Sequence, residues 1–297
     1  MNYLHLNLGW NCNNNCITCP EYREKTKKII SKSEILEKIK KIKNMKKLFI
    51  TGGEPTIHPN FFGILKEIKK KDPKIKITLL SNGRMFSYPS FIEKIKEYNI
   101  NTFYISLYGT DSKTHDSITR CPGSFRQTIQ GINNLIKNKK RVTTSMVINK
   151  LLYEDLDKDS EKFIKNFIHG PPLFRFRLVN IVGEAEKFQK ILNIKFSKIW
   201  PDLQKLLDFL IERKIKFKLD NMMPYCLIPK RYHQFIAQKI EGKQTLINFN
   251  DSHNKIIIDY QNPFIYIEKC KDCVYIKDCK GINSFYLKYN SLREFKK

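Results

Sequence analysis

Acidic residues are the scarce charge in this sequence: 29 Asp and Glu face 55 Lys and Arg, a formal net charge of +26 over 297 residues. A surplus of this size admits nucleic acid or an anionic substrate as a partner. The basic residues are overwhelmingly lysine, dispersed along segments of helical periodicity such as SEILEKIKKIKNMKK. A solvated lysine surface is the preferred reading, and a nucleic-acid partner is not favoured. Apolar runs are all short, which excludes a membrane-spanning helix and a membrane partner. The opening MNYLHLNLGW lacks the basic start and continuous apolar run of a secretory signal, so a cytoplasmic location is expected. Thiols stay reduced there, and eight cysteines argue for metal ligation or redox chemistry over disulfides. Glycine is scarce as well, with only 12 residues, two of them side by side at Gly52 and Gly53.

What the sequence does contain is an alternation of two segment types. YLHLNL (3–8), KLFIT (47–51), IKITLLS (75–81), TFYISLY (102–108), RVTTSMVIN (141–149) and LFRFRLVNIV (173–182) read as strands. Periodic apolar residues predict helices over 31–44, 60–71, 89–98, 124–138 and 155–168, with Ser33 as N-cap of the first. A long loop is expected between 108 and 124, and the last helix near WPDLQKLLDFLIERK. Six strand-then-helix units imply parallel strands joined by right-handed crossovers. They are too few to close an eightfold barrel. The expected fold class is α/β, a partial (β/α)6 TIM-like barrel whose function sits at the C-terminal ends of its strands. Composition shifts near residue 220, which divides the chain into a core domain, 1–220, and a small cysteine-rich C-terminal extension, 221–297, with a polar loop at INFNDSHNK. There is no internal repeat beyond the β/α units and no low-complexity linker.

Three thiols, Cys12, Cys16 and Cys19, crowd a polar loop directly after the first strand. Buried structural cysteines rarely cluster in this way. Zinc normally takes four ligands, and no fourth is evident nearby. A [4Fe–4S] cluster on three thiolates would leave one iron open to a substrate or cofactor. The Gly52–Gly53 pair lies in TGGEPTIHP after the second strand; an ordinary tight turn and a backbone approach to a ligand are both open readings. Asn82–Gly83 in LLSNG reads as a turn after the third strand.

CxxxCxxC after the first strand together with GGEP after the second resembles the radical S-adenosylmethionine (SAM) superfamily, over about residues 3–185. The resemblance implies an enzyme in which Cys12, Cys16 and Cys19 hold a [4Fe–4S] cluster whose fourth iron chelates SAM. Reductive cleavage of SAM then gives a 5′-deoxyadenosyl radical that abstracts hydrogen from substrate. It implies that Gly52, Gly53, Glu54 and Pro55 meet the methionine amino group, acting on SAM and not on cluster assembly. Ser81 and Asn82 are candidates near the ribose, and Ser106 is a candidate SAM contact. ISLYGTDSKTHDSITRCPGSF (105–125) is similar to the family's S-x-x-G, HD and GSF stretch, in which Arg120 could pair the methionine carboxylate. Gly183 is a candidate for close approach of adenine. Cys121 reads as a lone thiol. Thr18 departs from the family pattern, which commonly has an aromatic residue before the third cysteine.

A second cysteine group, Cys270, Cys273 and Cys279, has Cys226 upstream as candidate fourth ligand. A zinc ribbon is the structural alternative. The segment resembles the short (SPASM or twitch-like) extensions that carry an auxiliary [4Fe–4S] cluster in radical SAM enzymes acting on peptides. The expected substrate is a peptide or small metabolite, with an electron donor such as flavodoxin or ferredoxin. An RNA-modifying radical SAM enzyme and a non-catalytic Fe–S or zinc protein are the alternatives.

Overall fold

The computed structural model describes residues 2–21, 29–41, 45–153, 156, 160–220, 223–237, 244–247, 256–258 and 264–295. Seven parallel strands follow one another across a single sheet: β1 (Asn2–Asn7), β2 (Met45–Thr51), β3 (Lys76–Ser81), β4 (Thr102–Leu107), β5 (Val142–Ile148), β6 (Leu173–Leu178) and β7 (Phe217–Leu219). Each pairs in parallel with its neighbours in sequence order. The expected partial TIM-like barrel is what the chain forms.

Alternation gives β4 and β6 two unlike faces, whereas β5 is buried on both. In β4, Phe103, Ile105 and Leu107 are buried while Thr102, Tyr104 and Ser106 are half-buried. In β6, Phe174, Phe176 and Leu178 are buried while Leu173, Arg175 and Arg177 are half-buried. The buried face joins the main core with α1 (Lys32–Lys41), α2 (Phe61–Lys71), α3 (Pro89–Lys96) and α5 (Ser124–Lys137) packed around the sheet; Ile35, Ile64, Ile95 and Ile132 are among its fully buried members, while Ile118 of α4 (Ser112–Thr119) belongs to a smaller cluster with Ile17 and Ile181. Each such side chain contributes about 1.5–3 kcal/mol on burial. The half-buried face lines an open, largely polar lumen.

The structure differs from the sequence-based expectation in four places. Helix α1 is capped by Ser31, not Ser33: Ser31 Oγ accepts from Glu34 N at 3.2 Å while Ser31 N donates to Glu34 Oε2 at 2.9 Å, a reciprocal capping box. The supposed long loop after β4 contains α4. Its polar sequence SKTHDSIT hides the apolar period, but Asp111 caps it by accepting from Thr114 N at 2.8 Å. Among the described residues the helix expected over 155–168 is α7 (Ser160–Lys165), which ends three residues early, with α6 (Lys150–Tyr153) before it. The polar INFNDSHNK stretch lies outside the described residues apart from its first.

The fourth difference concerns the sheet edge. After α8 (Gln189–Leu192), α9 (Phe196–Glu212) and the short β7, a strand β8 (Gln244–Ile247) pairs parallel with β1, and β9 (Ile256–Ile258) pairs antiparallel with β8. Strand order is therefore β7-β6-β5-β4-β3-β2-β1-β8-β9, nine strands against six foreseen. A small ribbon, β10 (Phe264–Ile265) with β11 (Ile282–Asn283), and α10 (Ser284–Leu287) complete the chain. Ile282, Tyr286 and Phe295 belong to the main core, and Tyr286 Oη accepts from Phe196 N at 3.0 Å.

Candidate active site

The cysteine loop leaves the C-terminal end of β1 and is fastened from three sides. From β2, Gly53 N donates to Gly9 O at 2.8 Å and Glu54 N to Asn11 O at 2.7 Å. From the end of α4, Thr119 O and Ile118 O accept from Asn15 N and Ile17 N at 2.8 and 2.9 Å. From the strap after β6, Glu184 N and Ala185 N donate to Glu21 O and Cys19 O at 3.2 and 3.4 Å. Within the loop, Asn14 N donates to Cys12 Sγ at 3.4 Å, and Cys19 N to Cys16 O at 3.3 Å.

Two glycines make this fastening sterically feasible. A Cβ on Gly53 would lie 2.3 Å from both Trp10 O and Asn11 O. A Cβ on Gly183, whose φ is +65°, would lie 2.2 Å from Pro20 O. Both positions therefore bring backbone against the cysteine loop, one on each flank.

The candidates from β2 and β3 come together. Glu54 is buried; its Oε1 accepts from Thr56 N (3.1 Å), Thr56 Oγ1 (2.5 Å) and Ser81 Oγ (2.8 Å), and its Oε2 from Asn82 N (2.6 Å). Burial pushes its carboxyl pKa up, and the bonds from Thr56, Asn82 and Ser81 pull against that shift. Asn82 Nδ2 donates to Asn13 Oδ1 at 2.6 Å and lies 4.0 Å from Cys12 Sγ. Pro55 starts the short turn that follows. Ser106 lies on the lumen face of β4 beside Tyr108, whose hydroxyl is held well above its usual pKa by burial first and then by the nearby Cys16.

Arg120 caps α4 with φ +50°, and its guanidinium is engaged within the protein. Nε donates to Asn15 O at 2.7 Å and Nη2 to Asn15 Oδ1 at 2.9 Å; Glu184 Oε1 is 3.7 Å away, and the group sits 5.0 Å from the Phe188 ring centroid. It binds the cysteine loop to the strap that carries Gly183. The HD and GSF residues form a helix cap: Asp116 accepts from Gly123 N, Ser124 Oγ and Phe125 N at 2.7–2.8 Å, fixing the start of α5.

Sequence reasoning passed over Arg84 and Tyr108. Arg84 Nη1 donates to Asn13 O, to Asn14 Oδ1 at 2.8 Å and to Cys121 Sγ at 3.2 Å, while Nε donates to Gln127 Oε1 at 2.6 Å. It ties the loop to α5. Its only signal was an arginine directly after the Asn82–Gly83 turn. Tyr108 lay in view within the ISLYG stretch, two residues from Ser106 on the same strand face.

At the other end of the chain, Cys270 N donates to Ile267 O, Cys273 N to Cys270 O and Cys279 N to Tyr275 O, a succession of tight turns. Although Cys226 lies at the surface, its thiol pKa is pushed up to about 11, first by partial burial and then by neighbouring Cys279, Cys273 and Cys270. Tyr225 stacks on Tyr275 at 5.3 Å, and His233 meets both rings edge-on at 5.0 and 4.9 Å. These rings press the Cys226 segment onto the other three. Among the described residues, no three His, Cys, Asp or Glu side chains converge closely enough to hold a single metal ion.

A family model described as the Radical SAM superfamily matches residues 6–163, more than half of the chain. The chain is similar to the GTP 3′,8-cyclase of Clostridium perfringens (strain SM101 / Type A), 26% identical over 214 residues, 70% of this chain and 64% of the relative. It thus spans less than two thirds of that relative's length. It is also similar to the AdoMet-dependent heme synthase of Methanosarcina barkeri, 28% identical over 114 residues, 38% of this chain and 32% of the relative. Among solved structures, anSMEcpe with bound AdoMet and a peptide aligns with a TM-score of 0.67 at 16% identity, covering 99% of this chain and 95% of that one. SuiB from Streptococcus suis, bound to its precursor peptide SuiA, aligns with a TM-score of 0.65 at 18% identity, covering 99% and 74%. At these identities the likeness is one of fold.

Proposed function

Because the chain belongs to the radical SAM superfamily, we propose that Cys12, Cys16 and Cys19 carry its catalytic [4Fe–4S] cluster and that a peptide or small metabolite reacts in the barrel lumen. It is an enzyme of that class, using a [4Fe–4S] cluster and SAM. When bound, these supply a 5′-deoxyadenosyl radical that takes a hydrogen atom from the substrate. An external low-potential donor such as flavodoxin or ferredoxin provides the electron.

The observation that carries this reading is the fastening of one three-thiol loop at the mouth of the lumen. Backbone from β2, α4 and the 183–185 strap holds it, and Arg84 and Arg120 brace it with charge-assisted bonds. Thiolates on one short loop suit a cluster with an open iron. In this reading Gly52, Gly53 and Pro55 shape the rim that receives SAM's amino group. Glu54 orients Ser81 and Asn82 there, and Ser106 faces the same space from β4. Arg120, whose guanidinium is spent on Asn15 and Glu184, holds the loop; Gly183 lets the strap reach it.

We assign 221–297 to an auxiliary-cluster extension that also lends β8 and β9 to the core sheet of 1–220. Tetrahedral zinc, at ~2.3 Å from each thiolate, needs its sulfurs to converge. A cubane spreads them over four irons. Cys226, Cys270, Cys273 and Cys279 are neighbours, and the likeness of their segment to auxiliary-cluster extensions supports the cubane.

The deciding experiment is anaerobic reconstitution with iron, sulfide, SAM and dithionite, measuring 5′-deoxyadenosine. Wild type is expected to form it and Cys16→Ala to form none, since one of three ligands is gone. Undiminished 5′-deoxyadenosine from Cys16→Ala would refute the assignment.

A further inference from the structure

The seven strands β1–β7 contain no Asp or Glu. Their lumen face nevertheless carries His5, Lys47, Lys76, Arg175 and Arg177, and Arg141 directly precedes β5. Strand register places them side by side: Lys47 pairs with Lys76, and Arg175 sits across from Ser145. Lys47 is half-buried, and its ammonium is held below its usual pKa by burial first and then by Arg141, Arg175 and Lys76. His5 is shifted down by burial and by Lys47. Asp220, just past β7 and buried, answers Arg175 at 3.3 Å.

Lys47 and Arg175 are half-buried, with the exposed Lys76 and Arg141 beside them, and like charges held this close oppose folding unless something compensates them. Beside them, the Thr78 hydroxyl is buried without a hydrogen-bond partner, on the lumen face directly across from Phe49. A buried hydroxyl without a partner, beside clustered cations, is a donor set that suits an anion's oxygens.

We propose that the lumen floor binds a multiply charged anion, an oligophosphate or similarly dense oxyanion carried by the substrate. The proposal rests on the lumen being the substrate chamber of the radical reaction, and it narrows the substrate to an anionic class. Arginine forks and lysine point charges together suit phosphate oxygens. The position also sets a length. Lys47 precedes Thr51, at the mouth, by four residues, or about 13 Å along the strand. A bound molecule is anchored at its anionic end and presents its hydrogen roughly that far away, beneath the cysteine loop. Between lie the His5 and Phe49 rings, stacked at 4.5 Å, with Lys47 Nζ 4.7 Å from the Phe49 centroid.

Calorimetric titration of the reconstituted full chain with tripolyphosphate, at about 0.15 M salt so that scattered surface charges are screened, tests this. Wild type is expected to show one saturable site. Lys47→Gln/Lys76→Gln should bind about tenfold more weakly or worse, whereas the surface pair Lys66→Gln/Lys70→Gln, with the same change in net charge, should match wild type. Lys47→Gln alone should raise the melting temperature of the anion-free protein by relieving repulsion. That gain separates lost binding from damaged folding, and this single variant serves if the double one does not fold. A parallel titration with citrate distinguishes a phosphate-bearing substrate from a carboxylate-rich one; preference for either supports the site. Equal weakening by the surface pair, or no saturable binding in wild type, overturns the proposal. Formation of 5′-deoxyadenosine is assayed in the same wild-type preparation. Its absence there counts against the radical reading, while the anion site stands or falls by the titration.

Discussion

Glu54 accepts four hydrogen bonds from Thr56, Ser81 and Asn82 while removed from water. Its charge is compensated locally, so its contribution is to hold the ends of β2 and β3 at fixed separation. Glu54→Gln removes the desolvation cost of a buried charge but turns an NH2 group toward existing donors. The balance is expected to cost about 1–3 kcal/mol, read from denaturant unfolding; unaltered stability would mean the network is dispensable. His115 offers a pH-dependent counterpart. Its Nδ1 accepts from Tyr108 N at 3.2 Å, and burial, with Arg84 nearby, lowers its pKa to about 4 despite Asp116. The unfolded chain, with an ordinary value of 6.5, takes up the proton first as pH falls. Stability from this group is complete above pH 6.5 and is lost between 6.5 and about 4, by at most about 3 kcal/mol. A His115→Gln variant should show a flatter stability profile across that window. An unchanged slope would place the pH dependence elsewhere.

The turn between β2 and α2 and the loop after β1 behave as one element, because Gly53 leaves no room for even a methyl group against Trp10 and Asn11. Gly53→Ala is therefore expected to displace the cysteine loop and lower iron content as well as SAM affinity. Full iron occupancy with weakened SAM binding would instead restrict the turn to the ligand, as the family resemblance alone suggested. How far this was legible follows from the physics of each element. The strands were visible because two-residue alternation and β-branched runs write their burial directly into the sequence. Helix α4 was not, since three of its four buried residues, Thr114, His115 and Thr119, are polar and write no apolar period. The cysteines and Gly52–Gly53 were conspicuous as types. Arg84 and Arg120 were opaque in role: their partners Asn13, Asn14 and Asn15 lie 70 to 105 residues away along the chain, and only folding reveals the contacts. Strands β8 and β9 went unread because a three- or four-residue strand carries too little periodicity to register.

At the scale of the whole molecule, the two cysteine groups belong to opposite ends of the chain, each with its own support. In the reading given above, a Cys270→Ala/Cys273→Ala variant should keep the first cluster and lose the second, with iron falling from about eight to about four per chain. Zinc in place of the missing iron, or iron unchanged, would leave a structural knot instead. The pairing of β1 with β8 has a temporal consequence as well. Tyr3 lies opposite Gln244, so the strand that launches the cysteine loop gains its second neighbour only after some 240 further residues have been made. At ribosomal rates of about 5–20 residues per second, that is a wait of roughly 10 to 50 s. Throughout it, the nascent loop hangs from a sheet edge, with hydrogen-bonding groups exposed to any other strand that passes. The loop's fasteners from β2, α4 and the 183–185 strap are all made before β8, so the loop is held while the edge beside it is still bare.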